Sequence, residues 1–256
     1  MKVFIALCKK EMLEYIRKSR LTIMLIIFLL FGIMNPAMAK LTPWLMETMS
    51  DSLAESGFVV KEITVDALTS WNQFFKNVSM IILFYIIMVS STFTQEYQKN
   101  TLIPVVTKGV PRYLIVISKL ITMSLLWTVF YCGSAIITYG YNAYFWNNNV
   151  ADNLFISVLC CWLIGISGIS AVCFFSAISS SNTGVLLGIT GAIVLSYIIG
   201  FIPHVKEFVP TRLLSGASLI TSEIEVADLL PSIVTSVILS VVLLLCSIIL
   251  FNKKKI

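Results

Sequence analysis

Gln95 to Lys119 reads QEYQKNTLIPVVTKGVPRYLIVISK, and this stretch decides how the rest of the chain is read. It lies between two long apolar runs and carries Glu96, Lys99, Lys108, Arg112 and Lys119. Such a charge density has no place in lipid. Its middle is nevertheless apolar at Leu102, Ile103, Val105 and Val106, with Thr101 ahead of that run as a helix N-cap would be. Gly109 and Pro111 punctuate it before the next apolar run. The pattern predicts a short amphipathic helix at a membrane face, placed to touch another protein.

Working outward, composition sets the class. The 256 residues are 58% hydrophobic and 12% charged, with a mean hydropathy of +0.93. A soluble domain carries roughly 25% charged residues, so this chain belongs with membrane proteins. Six apolar segments are expected to span, at about 21–39, 78–94, 113–139, 154–178, 183–202 and 232–251. They form a single all-α membrane domain over residues 1–256. Asn35 and Pro36 are expected to end or bend the first span. Lys119, near the start of the third, is expected to snorkel to the surface.

The connecting segments are equally informative. Residues 1–20 interleave Val3, Phe4, Leu7, Met12, Leu13 and Ile16 with charged residues, the pattern of an interfacial helix. In the segment from Lys40 to Asn77, Trp44, Leu45, Met49 and Leu53 suggest a surface helix that Gly57 breaks. Thr64 or Asp66 then caps a helix entering the second span, with Trp71, Phe74 and Phe75 at the level of an aromatic belt. Residues 140–153 read as a short loop. Short helices dipping into the outer leaflet are expected before the sixth span, between the breakers Pro210, Gly216 and Pro231.

Charge sets the orientation. Of the 18 Lys and Arg, all but Lys40, Lys61, Lys76, Lys206 and Arg212 fall in the N-terminal segment, the bridge and the tail. The positive-inside rule therefore puts both termini in the cytoplasm. The basic residues sit beside spans and form no separate domain, which argues against a nucleic-acid partner.

Little in the chain suggests catalysis. The central parts of the spans carry no charge, which argues against an ion-coupled pump or an intramembrane metalloprotease. The six cysteines show no CxxC spacing, and His204 is the one histidine. There is no GxxxxGK[ST] motif, so the chain does not bind ATP through a P-loop. No catalytic, cofactor-binding or metal-ligating residue is expected. Gly184, Gly188 and Gly191 permit close helix approach, as do Gly165 and Gly168, either for packing within the subunit or for lining a cavity. Trp127, Phe130, Trp162, Phe174 and Phe175 could line a substrate path or simply pack.

The bridge resembles that of permease subunits of ABC-2 type transporters. In that family a glutamate after the second span is followed by a Thr-Leu pair, an apolar stretch, a Pro-Val-Ser-Arg-like turn and a lysine opening the third span. Glu96, Thr101, Leu102, Arg112 and Lys119 stand at matching spacings. Asn100 replaces a glycine, Gly109 the proline and Pro111 the serine. The resemblance implies an ATP-driven exporter of two six-span permeases, as a homodimer, and two ABC ATPase subunits in a bacterial cell membrane. ATP and Mg would be bound by the ATPase partner. Glu96, Thr101, Leu102, Ile103, Val105, Arg112 and Lys119 would form the ATPase-coupling element, Glu96 and Arg112 holding its ends. An apolar or amphipathic cargo, such as a toxin or antimicrobial peptide or a drug, would cross. The alternatives are an integral-membrane enzyme and a non-transporting anchor or sensor subunit. External acids Glu207, Glu223, Glu225 and Asp228 with His204 are the only candidates for such an enzyme.

Overall fold

Among the described residues, six helices are long and apolar enough to cross a membrane. The computed structural model describes residues 2–48 and 65–254, which are helical and contain no strand. Met49, Leu53, Gly57 and Thr64 lie outside the described residues.

α1 (Lys2–Arg17) turns at Ser19, whose φ of 56° is left-handed, into α2 (Arg20–Thr48). α3 (Ala67–Gln98) leads to the bridge helix α4 (Ile103–Thr107), then α5 (Arg112–Phe145). α6 (Leu154–Ile178) and α7 (Asn182–Gly200) follow. Two short 3-10 turns and α8 (Gly216–Ile220) precede α9 (Val226–Lys253). α2 packs on α3 and α5, α1 lies against α5, and α9 runs along α6.

Asp66 caps α3 as expected, accepting a hydrogen bond from the Thr69 amide at 2.9 Å. The first span departs from expectation. α2 does not end at Asn35 and Pro36; it runs through Pro36 and Pro43. A proline at 36 has no N–H for the Gly32 carbonyl one turn earlier. Thr138 of α5 supplies the missing donor, its hydroxyl lying 3.0 Å from Gly32 O. Asn35 is itself fully buried and accepts from Asn77 Nδ2 at 2.8 Å. Neighbouring helices thus satisfy the backbone that proline leaves open.

α5 also continues to Phe145, so much of the predicted loop at 140–153 is helical. Trp71, Phe74 and Phe75 form no belt. All three are buried, and Trp71 Nε1 donates to Asn148 Oδ1 at 3.0 Å. They were misplaced because their helix presents them to α5 and to the segment before α9, which sequence order does not reveal.

The centre of the bundle is aromatic. Trp127 stacks on Tyr131 with centroids 5.0 Å apart, and Tyr85 and Phe28 pack against Trp127 at 5.2 and 6.0 Å. Such pairs contribute about 0.5–1.5 kcal/mol each beyond the area they cover. Each polar tip is satisfied: Trp127 Nε1 donates to Trp162 O at 3.1 Å and Tyr131 Oη to Val158 O at 3.1 Å. Gly165 makes this possible, because a Cβ there would sit 2.1 Å from the Trp127 ring. Gly188 likewise admits Phe175, whose ring lies 2.3 Å from where its Cβ would be. Between α6 and α9 the contact is polar, with Ser167 Oγ 2.8 Å from Ser240 Oγ and Ser247 Oγ donating to Cys173 O at 3.0 Å. Hydrogen bonds and close packing of this kind hold helices together where lipid removes the hydrophobic drive.

Candidate functional site

The site is built where α1 crosses the end of α3 and the start of α5. Leu7, Glu11 and Tyr15 recur at four-residue spacing and form the buried stripe of α1. Val3, Ile5, Leu13 and Ile16 are exposed, so the apolar residues of this helix mostly face outward. Tyr15 of this stripe, with Lys18 and Arg20 just beyond α1, fastens the segment to α3. Tyr15 Oη lies 2.8 Å from Thr92 Oγ1, Arg20 Nη2 donates to Ser91 Oγ at 2.7 Å, and Lys18 donates to Gln95.

Glu11, Glu96, Lys119 and Lys10 meet at the centre of this seam. Lys119 Nζ is 2.8 Å from Glu11 Oε2 and 3.0 Å from Glu96 Oε2. Lys10 pairs with both carboxylates from the outer side, 3.2 Å from Glu11 Oε1 and in direct contact with Glu96. Lys119 is 0% exposed, Glu11 2% and Glu96 3%. Two carboxylates and two ammoniums make the cluster formally neutral, the condition under which buried charge is tolerated. Lys119 therefore does not snorkel. Its ammonium stays inside because Glu11, far away in sequence, meets it there. Phe93 adds an aromatic face 5.3 Å from Nζ.

Glu14 stands beside this cluster. Burial alone would raise its carboxyl, but the Lys18 ammonium hydrogen-bonded to it, with Lys119 and Lys10 further off, holds it below the usual glutamate value. Glu11, Glu14 and Glu96 bring carboxylate oxygens within 4.8 Å of one another, a spacing that could hold a cation. Here the positive charge is supplied by the lysine ammoniums, which already contact Glu11 and Glu96.

The bridge emerges directly from this cluster. Asn100 adopts a left-handed φ of 54° and Gly109 a φ of +79°. Both positions favour residues that tolerate that region, which accounts for the asparagine in place of a glycine. Thr101 is not the cap of α4. Leu102 occupies that position without a side-chain cap, and Pro104 lies in the first turn. Leu102 is buried against the bundle, Val105 and Val106 are half-buried, and Ile103 is 42% exposed. Ile103, Pro104, Thr107 and Lys108 form the outward surface.

Glu96 and Arg112 hold the two ends through different partners, Glu96 through Lys10 and Lys119. Arg112 Nη1 instead donates to the Asn252 and Lys254 carbonyls at 3.0 and 2.7 Å. Lys254 Nζ donates in turn to Ser176 O and Ser179 O at 3.2 and 3.1 Å and lies 4.0 Å from the Tyr97 ring centre. The end of α9 is thereby tied to the bridge and to the end of α6.

The aromatics considered for a substrate path differ in burial, with Trp162, Phe174 and Phe175 only half-buried. Trp127 is fully buried and Phe130 nearly so, Trp162 Nε1 donates to Thr128 Oγ1 at 3.0 Å, and Phe174 lies 5.2 Å from Phe175, which fills the notch at Gly188.

Glu11 and Lys10 were the residues sequence reasoning missed. The available signal was the Leu7–Glu11–Tyr15 spacing, which puts a carboxylate in line with two residues fit for burial.

Six long apolar helices with a charged, inward-fastened N-terminal helix define a multi-pass membrane protein. The family model described as ABC-2 family transporter protein matches residues 5–217, and the chain belongs to that family as a transport permease. Comparison with curated proteins gives no match.

Proposed function

We propose that the chain is the permease subunit of an ATP-driven exporter and that α1, the bridge and the start of α5 form its coupling element. The observation carrying this reading is the buried cluster of Glu11, Glu96 and Lys119, made formally neutral by the partly exposed Lys10. It joins the interfacial helix to two spans at the root of α4. Force applied to the exposed Ile103 surface would move α3 and α5 together, because separating them from α1 would strand buried charge. Two copies of this chain and two ABC ATPase subunits make the working unit, with ATP and Mg held by the ATPase. Both termini and the bridge face the cytoplasm of a bacterial cell, in line with the clustering of Lys and Arg in those segments.

The cargo is apolar or amphipathic, a peptide toxin, an antimicrobial peptide or a drug. The uncharged middle of each span supports this class. Since Trp127 and Phe130 are buried within one copy, the route runs between two copies rather than through one. The exposed Leu187 and Leu195 of α7 and Ile238 of α9 leave apolar surface for lipid or for that second copy.

The test is copurification of an ABC ATPase with the chain, wild type against Ile103→Asp combined with Thr107→Asp. Both positions are exposed, so the bundle itself is left intact. Loss of the ATPase from the double variant supports the coupling role. Equal recovery with both proteins removes it.

A further inference from the structure

At the end of α7 remote from the bridge, a cavity of about 320 Å³ lies between that helix and the short turns before α9. Tyr197, Gly200 and Phe201 line it from α7 and its C-cap, and Lys206, Thr211 and Arg212 from the turns. Among the described residues no acidic side chain lines it. Arg212 is half-buried, and its Nη1 is shielded from solvent with no hydrogen-bond partner among the described residues. Neither Arg212 nor Lys206 makes an ion pair among the described residues. A shielded guanidinium donor without an acceptor is costly, and proteins rarely leave one so. Arg212 also lines the cavity, so an anion entering it would meet that guanidinium.

From this we infer that the cavity takes the phosphate of an anionic phospholipid headgroup, with Arg212 as the inner donor and Lys206 as the outer one. A guanidinium suits a phosphate because its forked N–H groups meet two oxygens at once. The α7 carbonyl end opposes an anion with roughly half an elementary charge, which two full cations outweigh. The position selects lipid over a free anion. The cavity sits where an apolar helix ends, beneath Phe201 at 85% and Tyr197 at 50% exposure. Below it α7 exposes Ile198, Leu195 and Val194, a surface along which acyl chains can lie. No side-chain atom stands within 4 Å of the Cβ position at Gly200, so the mouth is open on that side. This assignment does not depend on the transport reading.

The experiment titrates delipidated full-length protein in detergent with phosphatidylglycerol, phosphatidylcholine or inorganic phosphate, reading bound lipid by native mass spectrometry and all three by thermal shift. Variants are Arg212→Gln and Lys206→Gln, the latter at an exposed position where folding is not at stake. Phosphatidylglycerol should be retained by the wild type, with at least about a tenfold loss of affinity in Arg212→Gln, the scale of one lost charge-assisted contact. Lys206→Gln should weaken it by a smaller factor. Equal retention of phosphatidylcholine, or undiminished phosphatidylglycerol binding in both variants, overturns the site. A thermal shift from inorganic phosphate alone that matches the lipid's overturns the lipid assignment.

Discussion

Lys119 Nζ lies 2.8 Å from Glu11 Oε2, joining α5 to a helix whose sequence position gives no hint of the contact. Glu96 completes the pairing from α3 at 3.0 Å. α1 is therefore fastened to the helix bundle by a buried ion pair.

Removing one member of this cluster should cost more than removing it whole. Lys119→Met leaves Glu11 and Glu96 buried with Lys10 as their one remaining ammonium, and a stability loss of about 3–5 kcal/mol is expected. Glu11→Gln with Glu96→Gln and Lys119→Met together should recover most of it. Thermal unfolding in detergent, followed by size-exclusion chromatography, reads both. A triple variant as unstable as Lys119→Met would mean that the cluster acts through packing and not charge.

Thr138 and Pro36 should be coupled although neither side chain touches the other's chemistry. Thr138→Val removes the donor to the Gly32 carbonyl that Pro36 leaves without its helical partner. A loss of about 1–3 kcal/mol is expected, the cost of a stranded buried acceptor. In a Pro36→Ala background the restored N–H should cut that loss by half or more. A double-mutant cycle with no coupling would rule out this compensation.

Two glycines should answer the same substitution in opposite ways. Gly165→Ala puts a Cβ 2.1 Å from the Trp127 ring and should destabilise by about 1–3 kcal/mol. Gly191→Ala meets nothing within 4 Å and should be neutral, or favourable by up to about 1 kcal/mol through helix propensity. Unfolding temperatures of the two single variants make the comparison.

The tail contacts should hold the end of α9 in place. Arg112→Ala removes the donor to the Asn252 and Lys254 carbonyls, and Lys254→Ala removes the bonds to Ser176 and Ser179. Either change should speed hydrogen exchange in the last turn of α9, leaving its middle unaffected. Unchanged exchange in that turn would show that the apolar packing of Phe251 suffices.

Much of this architecture was legible in the sequence, for reasons that particular residues make clear. Apolar runs long enough to span located the six membrane helices, and Asp66 three residues before Thr69 located a cap. Local pattern carries both signals. Pro36 misled because its consequence depends on Thr138, a residue on another helix. Lys119 misled for the same reason, since a lone lysine near a span end ordinarily reaches water unless a carboxylate meets it. At the bridge, the charges and the apolar stretch were visible, but not that Leu102 turns inward and leaves Ile103 outermost. Which residue of a short helix faces the bundle is set by the backbone at Asn100, a left-handed turn that periodicity does not register.

The most direct measurement places a photo-crosslinking amino acid at position 103, and separately at 202 just beyond the far end of α7, in cells expressing the full chain. The account predicts that irradiation joins position 103 to a nucleotide-binding subunit and that position 202 gives no such adduct. Capture of that subunit from position 202, or from neither position, would contradict it.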